Sequence, residues 1–251
     1  MKLNIFTTPT ELGKEAAAVC AEIINTAIAR NGNARIVLST GASQFETINA
    51  LIHCDIDWNK VEMFHLDEYI GLPESHPASF RKYLKERFLN HVNIKQAYLD
   101  DGEDDPLKVI SYLTEEIRKA PIDLGVIGIG ENAHIAFNDP PADFETVEAY
   151  ICVTLDDACK QQQVREGWFA TLDDVPKQAI SMTVHQIMQC SQIVSCVPYA
   201  VKAKAVRDTL ESPLTNLVPA TMLKQHPRIS LFLDNDSASL IDIASSQNRI
   251  F

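Results

Sequence analysis

Short apolar runs recur along this chain, and most are followed by a stretch with helical periodicity. "LNIFTT" (3–8) precedes an amphipathic stretch from Glu11 to about Arg30. "ARIVLST" (34–40) precedes a helix expected from Ser43, and "VEMFHLDEY" (61–69) precedes one expected near Pro77, since proline suits a first helical turn. "DLGVIGIG" (123–130) is a fourth run, and "AYICVTL" (149–155), "QIVSCV" (192–197) and "RISLFL" (228–233) repeat the theme. Strands alternating with helices in this way predict an α/β fold with a mostly parallel sheet and helices on both faces. The expected architecture is a single domain over 1–251, Rossmann-like and three-layered. No linker rich in Pro, Gly or Ser divides it, and no repeat or low-complexity segment is seen. The polar stretch "LDDACKQQQVREGWF" (155–169) is the expected mobile lid, ending on a Trp168–Phe169 anchor.

Composition narrows the function classes. With 46% hydrophobic residues the chain can build a sizeable core. A net charge of -12 works against general nucleic-acid binding, which needs a positive field. An anionic small molecule needs only local donors and stays compatible. The six cysteines, Cys20, Cys54, Cys152, Cys159, Cys190 and Cys196, form no CxxC and no paired metal spacing, so reduced and mostly buried thiols are expected. No signal-peptide pattern opens the chain and no stretch nears the ~20 apolar residues of a membrane span. A soluble, cytoplasmic protein without nucleic-acid or membrane partners is the expectation.

Ligands of open parallel sheets bind beyond the carboxyl ends of the strands. Three strand ends here carry unusual chemistry. "LSTGAS" (38–43) is a hydroxyl-rich turn in which Ser43 and Glu46 have capping-box spacing. A helix start with hydroxyl donors at Thr40 and Ser43 suits a phosphate; an ordinary capped turn is the plainer alternative. It lacks the GK[ST] of a Walker loop. "HLDEY" (65–69) puts two consecutive acids at a strand end, with His65 and Asp67 on one face of the expected strand and Leu66 and Glu68 on the other. A partly desolvated carboxylate there can act as a base; a solvated turn acid is the alternative. A metal at His65 and Asp67 lacks a third nearby ligand, so none is expected. "GIGENA" (128–133) matches GxGxxA, but Pro140 and Pro141 leave no room for the helix a dinucleotide site requires. What remains is His134 in a tight loop, flanked by Glu131, Asn132 and Asp139.

Together these segments resemble the glucosamine-6-phosphate deaminase (isomerase) family, relatives of the 6-phosphogluconolactonases. "FHLDEYIGLPESHPASFRKYL" (64–84) is similar to the family's FxxDEYxGLPxxHPxSF segment, and "GIGENAHIAFNDPP" (128–141) to its GxGxDGHIAFNEP segment. "KAKAV" (202–206) and "SPLTNLVPATMLKQHP" (212–227) resemble its late blocks. The lactonases prefer DER at the second motif and an SLFP-type ending at the third, so "DEY" and "AFND" favour the deaminase side. The resemblance implies an amino sugar 6-phosphate substrate, with glucosamine 6-phosphate giving fructose 6-phosphate and ammonia. It implies Asp67 as the base that moves a proton between C2 and C1 through an enolamine. It implies His134 as the ring-opening acid/base, tuned by the residues at 132 and 139. Ser39, Thr40, Gly41, Ala42 and Ser43 would hold the phosphate with Lys202, and Arg165 would help from a shifted position in the lid. No cofactor or metal is implied, and a homo-oligomer is compatible with such a chain.

Two departures stand out. The family's Asp before the histidine is Asn132 here, and its Glu after it is Asp139, shorter in reach by about 1.3 Å, roughly one carbon–carbon bond. An amide does not stabilise an imidazolium as a carboxylate does. Slower deamination, another amino sugar phosphate and plain aldose–ketose isomerisation all fit that change. A sugar-phosphate lactonase and a non-catalytic sugar-phosphate-binding regulator are the competing classes. "ADFETVEAY" (142–150) has none of the basic residues of the family's allosteric branch, so amino-sugar activation is not expected.

Overall fold

The computed structural model describes residues 1–242. Its centre is a seven-stranded, wholly parallel sheet. The strands are β1 (Lys2–Phe6), β2 (Ala34–Leu38), β3 (Val61–His65), β5 (Gln96–Tyr98), β6 (Leu124–Ile127), β9 (Gln192–Val197) and β10 (Ile229–Asp234). Their order is β1-β10-β9-β6-β2-β3-β5. Every residue of β2 and β6 is buried, which fits their apolar sequence; the exception, Arg35 of β2, pairs with Glu62.

Side chains of this sheet alternate between two cores. Val37, Phe64, Ile193 and Leu231 enter one core, with Val109, Leu113 and Ile117 of α4 (Pro106–Arg118) and Val206 and Leu210 of α7 (Ala203–Glu211). Ile36, Leu38, Met63, Val194 and Phe232 enter the other, with Leu12, Ala16, Cys20 and Ile24 of α1 (Pro9–Asn31) and Ile48 and Leu51 of α2 (Phe45–Leu51). Period-two alternation therefore puts helices on both faces, as expected. Helix α1 starts at Thr8, whose hydroxyl accepts from the Glu11 amide, and ends on Gly32 at φ 80.

The expectation of one strand over 61–69 is corrected. The chain leaves the parallel sheet after His65 and turns at Leu66. It re-pairs as β4 (Asp67–Tyr69) in a separate antiparallel sheet of order β4-β8-β7. There Asp67 lies opposite Ser181 of β8 (Gln178–Met182). "AYICVTL" belongs to this second sheet as β7 (Tyr150–Thr154), paired antiparallel with β8. Outward positions such as Cys152 and Thr154 are exposed on this strand, unlike the fully buried strands of the main sheet. A third core of Tyr69, Phe137, Phe169 and Val175 packs on this small sheet. Helix α3 spans Phe80–Leu84 and starts from Ser79, whose side chain accepts from the Lys82 amide, two residues beyond the Pro77 start read from the sequence. The 155–169 segment holds α5 (Asp157–Arg165), capped by Asp156, and the short α6 (Val184–Met188) follows β8. Among the described residues no helix is long and apolar enough to cross a membrane.

Candidate active site

The carboxyl ends of β2, β3, β6 and β9 open onto a cavity of about 360 Å³. Ser39, Thr40, Gly41, Ala42, Ser43, Asp67, His134, Arg165 and Lys202 all line it. Asn132 and Asp139 do not; they stand behind His134. The sequence reasoning passed over Gln162, Glu166, Trp168 and Tyr199, which also line the cavity. The first three come from the 155–169 segment, whose polar composition carries no mark of contact with a site.

The loop after β2 turns at Gly41, whose φ of 93 suits glycine alone. The Tyr83 hydroxyl donates to the Gly41 carbonyl at 3.0 Å and holds the turn. The capping box expected at Ser43 and Glu46 does not form. A 3-10 turn over Ala42–Gln44 runs directly into α2, and no side chain caps either start. The chain is already helical at position 43, so Ser43 is inside the turn instead of at its boundary. Its hydroxyl is left free for the cavity.

Lys202 lines the same cavity from the 3-10 turn Ala200–Lys202, with only 5% of its surface exposed. Burial lowers its pKa, while Glu166 and Glu131 act to keep the ammonium charged. Tyr199, at φ 82, is fixed by its amide donating to Asp234 at 3.0 Å. Arg165 is in contact with the cavity, but its guanidinium is paired with Glu131 across the mouth. Helix α5 and the histidine loop are thereby joined.

Asp67 lines the same cavity. Burial, and then the neighbouring Glu68, push its carboxyl up to about 8. Glu68, which the strand reading turned away from Asp67, supports it instead. Its carboxylate accepts from the Tyr69, Phe80 and Arg81 amides and the Ser79 hydroxyl at 2.8–3.2 Å. Arg81 continues the network to Asp101 at 2.5 Å and Glu103 at 3.0 Å. A buried acid at the start of α3 thus pins the turn that carries Asp67.

His134 lies in a loop without helix, closed by the Gly130 amide donating to the His134 carbonyl at 2.9 Å. Ala133 and Ala136 take φ 64 and φ 50, left-handed values that cost an alanine about 1 kcal/mol each. The ring packs on Gly130, where a Cβ would meet it at 2.2 Å. Asn132 is more than a missing charge. Its carbonyl oxygen accepts from the His134 amide at 3.1 Å and lies 2.6 Å from Nδ1, while its amide nitrogen donates to Asp139 Oδ1 at 3.0 Å. The shorter Asp139 still reaches, with Oδ1 3.1 Å from Nδ1. Burial opposes ionisation of Asp139, yet hydrogen bonds to His134 and Asn132 lower its pKa below the ordinary value. Two acceptors at Nδ1 fix the proton there and leave Nε2 as the atom available to a ligand.

The family model described as glucosamine-6-phosphate isomerases/6-phosphogluconolactonase matches residues 7–231. A glucosamine-6-phosphate deaminase of Lactobacillus delbrueckii subsp. bulgaricus is 31% identical, covering 96% of this chain and 100% of its own. One from Thermoanaerobacter pseudethanolicus is 35% identical, covering 96% and 95%. Among solved structures, a monomeric glucosamine-6-phosphate deaminase superposes with a TM-score of 0.87 at 29% identity over 96% of this chain and 100% of that one. A 6-phosphogluconolactonase from Trypanosoma brucei shares the fold, with a TM-score of 0.80 at 15% identity over 96% and 98%.

Proposed function

This chain belongs to the glucosamine-6-phosphate isomerase/6-phosphogluconolactonase family, and from that membership we propose that it is a glucosamine-6-phosphate deaminase. The observation that carries the reading is the shared cavity: a desolvated carboxyl at Asp67, a histidine with a free Nε2, and a hydroxyl-rich turn beside a buried lysine. Those groups match the needs of an amino sugar 6-phosphate. Ser39 to Ser43 and Lys202 bind the phosphate by backbone and charge-assisted hydrogen bonds. His134 Nε2 takes the proton of the anomeric hydroxyl and returns one to the ring oxygen, opening the pyranose. Asp67 removes the C2 proton and delivers it to C1, so the enolamine becomes a ketose iminium. Water adds to the iminium carbon, ammonia leaves, and fructose 6-phosphate is released. The 155–169 segment acts as the lid over this sequence, with Arg165 exchanging Glu131 for the substrate phosphate as it closes.

Ammonia release from a panel of amino sugar 6-phosphates is the direct test, run beside hydrolysis of 6-phosphogluconolactone. Lactone hydrolysis without ammonia would reverse the assignment. Tight binding of hexose phosphates with no turnover of any kind would indicate a sensor.

Phosphate recognition gives a quantitative expectation. Lys202→Ala weakens binding of the phosphorylated sugar by roughly 1.5–3 kcal/mol, the range for a hydrogen bond to a charged group. Binding of unphosphorylated glucosamine changes little. Calorimetry with both ligands checks it, and equal losses would make Lys202 a packing residue.

The amide at 132 gives another. Asn132→Asp places a second negative charge where the carbonyl oxygen now lies, 2.6 Å from Nδ1. A nearby opposite charge favours the imidazolium, so a limb of the pH profile moves upward in the variant. Turnover of glucosamine 6-phosphate stays level or rises. The profile of kcat/KM against pH for both proteins measures it, and a fall with every sugar phosphate and no displacement of the limb would contradict the tuning.

A further inference from the structure

Helix α5 is polar on the side it buries. Its inward positions include Cys159, Gln162 and Gln163, spaced i, i+3 and i+4, where an ordinary surface helix carries apolar side chains. Cys159 behaves as such a residue, 1% exposed in the core of Tyr69, Phe137 and Phe169. Gln162 and Gln163, at 7% and 6%, line the cavity instead. A buried amide is costly unless something pairs with it, so each glutamine needs a partner.

Gln162 finds its partners within the protein. Its Nε2 donates to Glu166 at 2.7 Å and its Oε1 accepts from the Glu131 amide at 3.4 Å. Glu166 also accepts from Trp168 Nε1 at 3.0 Å, and the Trp168 amide donates to the Gln163 carbonyl at 3.1 Å. With the pair between Arg165 and Glu131, these bonds hold the end of α5 against the histidine loop. Gln163 sits on that fixed end, and its side-chain amide has no partner among the described residues. Nor is the amide sealed. The interior does hold sealed polar atoms without partners, such as both carboxyl oxygens of Asp100 at 0% exposure, and the Gln163 atoms are not of that kind. A side chain this buried, in a residue that lines the cavity, keeps its remaining polar surface there.

The proposed substrate has a matching remainder. In glucosamine 6-phosphate the phosphate goes to Lys202 and the Ser39–Ser43 turn, O1 and the ring oxygen to His134, and C1 and C2 to Asp67, while the nitrogen leaves. The hydroxyls on C3 and C4 are left. They are neutral and adjacent, and each both donates and accepts. A carboxylate only accepts and an ammonium only donates, whereas one amide presents an acceptor and a donor side by side. Tyr199 also brings a hydroxyl without a described partner to the cavity, but it is partly exposed and water serves it. We propose that Gln163 is a specificity-determining residue whose side-chain amide spans the C3–C4 diol of the bound sugar, its oxygen accepting from one hydroxyl and its nitrogen donating to the other.

This inference rests on the reading of the chain as acting on an amino sugar 6-phosphate, and the experiment separates the two. The probes are glucosamine 6-phosphate and its 3-deoxy and 4-deoxy analogues. Wild type is expected to lose about 10- to 100-fold in kcat/KM with either analogue, since each leaves half of a buried amide unpaired. Gln163→Met keeps the length of the side chain and removes both polar atoms. Its kcat/KM for the parent sugar falls by a similar factor, and it then treats the parent and both deoxy sugars alike to within a few-fold. Undiminished discrimination in Gln163→Met would show that other groups read these hydroxyls. A wild type that accepts the deoxy sugars as readily as the parent would show that none does, and this arm needs no folded variant. Either result overturns the proposal. Calorimetric binding of the same three sugars to both proteins keeps the two readings apart. No ammonia release by wild type, with binding discrimination that disappears in Gln163→Met, would sink the deaminase and leave Gln163 in its role. Normal ammonia release with discrimination unchanged in the variant would do the reverse.

Discussion

Asp67→Asn is expected to bind glucosamine 6-phosphate almost as wild type does and to turn it over at least ~10²-fold more slowly, the usual cost of a lost general base. Asparagine keeps the shape of the side chain and leaves Lys202 and the Ser39–Ser43 turn unaltered, so the proposed phosphate contacts survive. The same substitution carries a stability signature. Asp67 has its pKa raised to about 8 in the folded protein, chiefly by burial, from the ordinary carboxyl value near 4. The folded state therefore prefers the protonated form. Its contribution to stability is complete below about pH 4 and is lost as pH rises toward 8. Asparagine has no proton to lose. The variant is thus expected to melt near the wild-type temperature at pH 4 and above it at pH 8, with the gain growing between them. Activity runs the other way, because the base must be ionised, so wild-type kcat/KM rises through the same interval. Melting curves and rate profiles over pH 4–9 check both. Near-normal turnover would remove Asp67 from the mechanism, and a melting difference that does not change with pH would remove the strained carboxyl.

The elements legible in the sequence were those whose environment is uniform along their length. Strands β2, β6, β9 and β10 are buried almost throughout and read as apolar runs, and α1 shows both its cap and its terminal glycine. The break at Leu66 was not legible. Every residue from Met63 to Tyr69 is buried on either side of it, so hydropathy carries no mark of the change of sheet. Gln96–Tyr98 and Gln178–Met182 were passed over because their strands begin on exposed glutamines and offer few apolar positions. At the site, the glycine turn, Asp67 and His134 announced themselves through unusual chemistry at strand ends. Glu68 did not, because its partners come from the Ser79–Arg81 turn, and that approach depends on β4 leaving the parallel sheet. Asp100 was hidden in an acidic stretch, "LDDGEDD", where burial of one acid among exposed ones has no signature in composition. Asn132 was visible as a substitution, but its double role needed coordinates: one amide can accept from the histidine and donate to Asp139 only when the loop folds back through Ala133.

The same loop yields a second large effect, at a residue with no functional group. Gly130→Ala is expected to cut turnover by about 10²-fold while leaving binding of the sugar phosphate within a few-fold of wild type. Gly130 does not need glycine for its backbone angles, since it is not among the positions with positive φ. It needs the space. A Cβ there would stand 2.2 Å from both Cε1 and Nε2 of His134 and 2.4 Å from Nδ1. Contacts below 3 Å cannot be absorbed in place, so either the loop or the ring moves. The loop is the stiffer of the two. Gly130 donates to the His134 carbonyl at 2.9 Å, accepts from the Ala133 amide at 3.0 Å, and Ala133 is anchored by the Ala220 amide at 2.9 Å. The ring is therefore driven toward the cavity, away from Asn132 and Asp139. Nδ1 loses the acceptors that fix its proton, and Nε2 is displaced by an ångström or more, a misplacement that costs on the order of 10² in rate. Lys202 and the Ser39–Ser43 turn belong to other segments and have no part in this movement. The companion variant Ala133→Gly, in the same loop, relieves a left-handed alanine without adding an atom, and its turnover is expected to match wild type. Separate kcat and KM values for the two variants distinguish ring displacement from general damage to the loop. Equal losses in both would show a loop that tolerates no change, and full activity in Gly130→Ala would show that His134 does not work from the position it holds over Gly130.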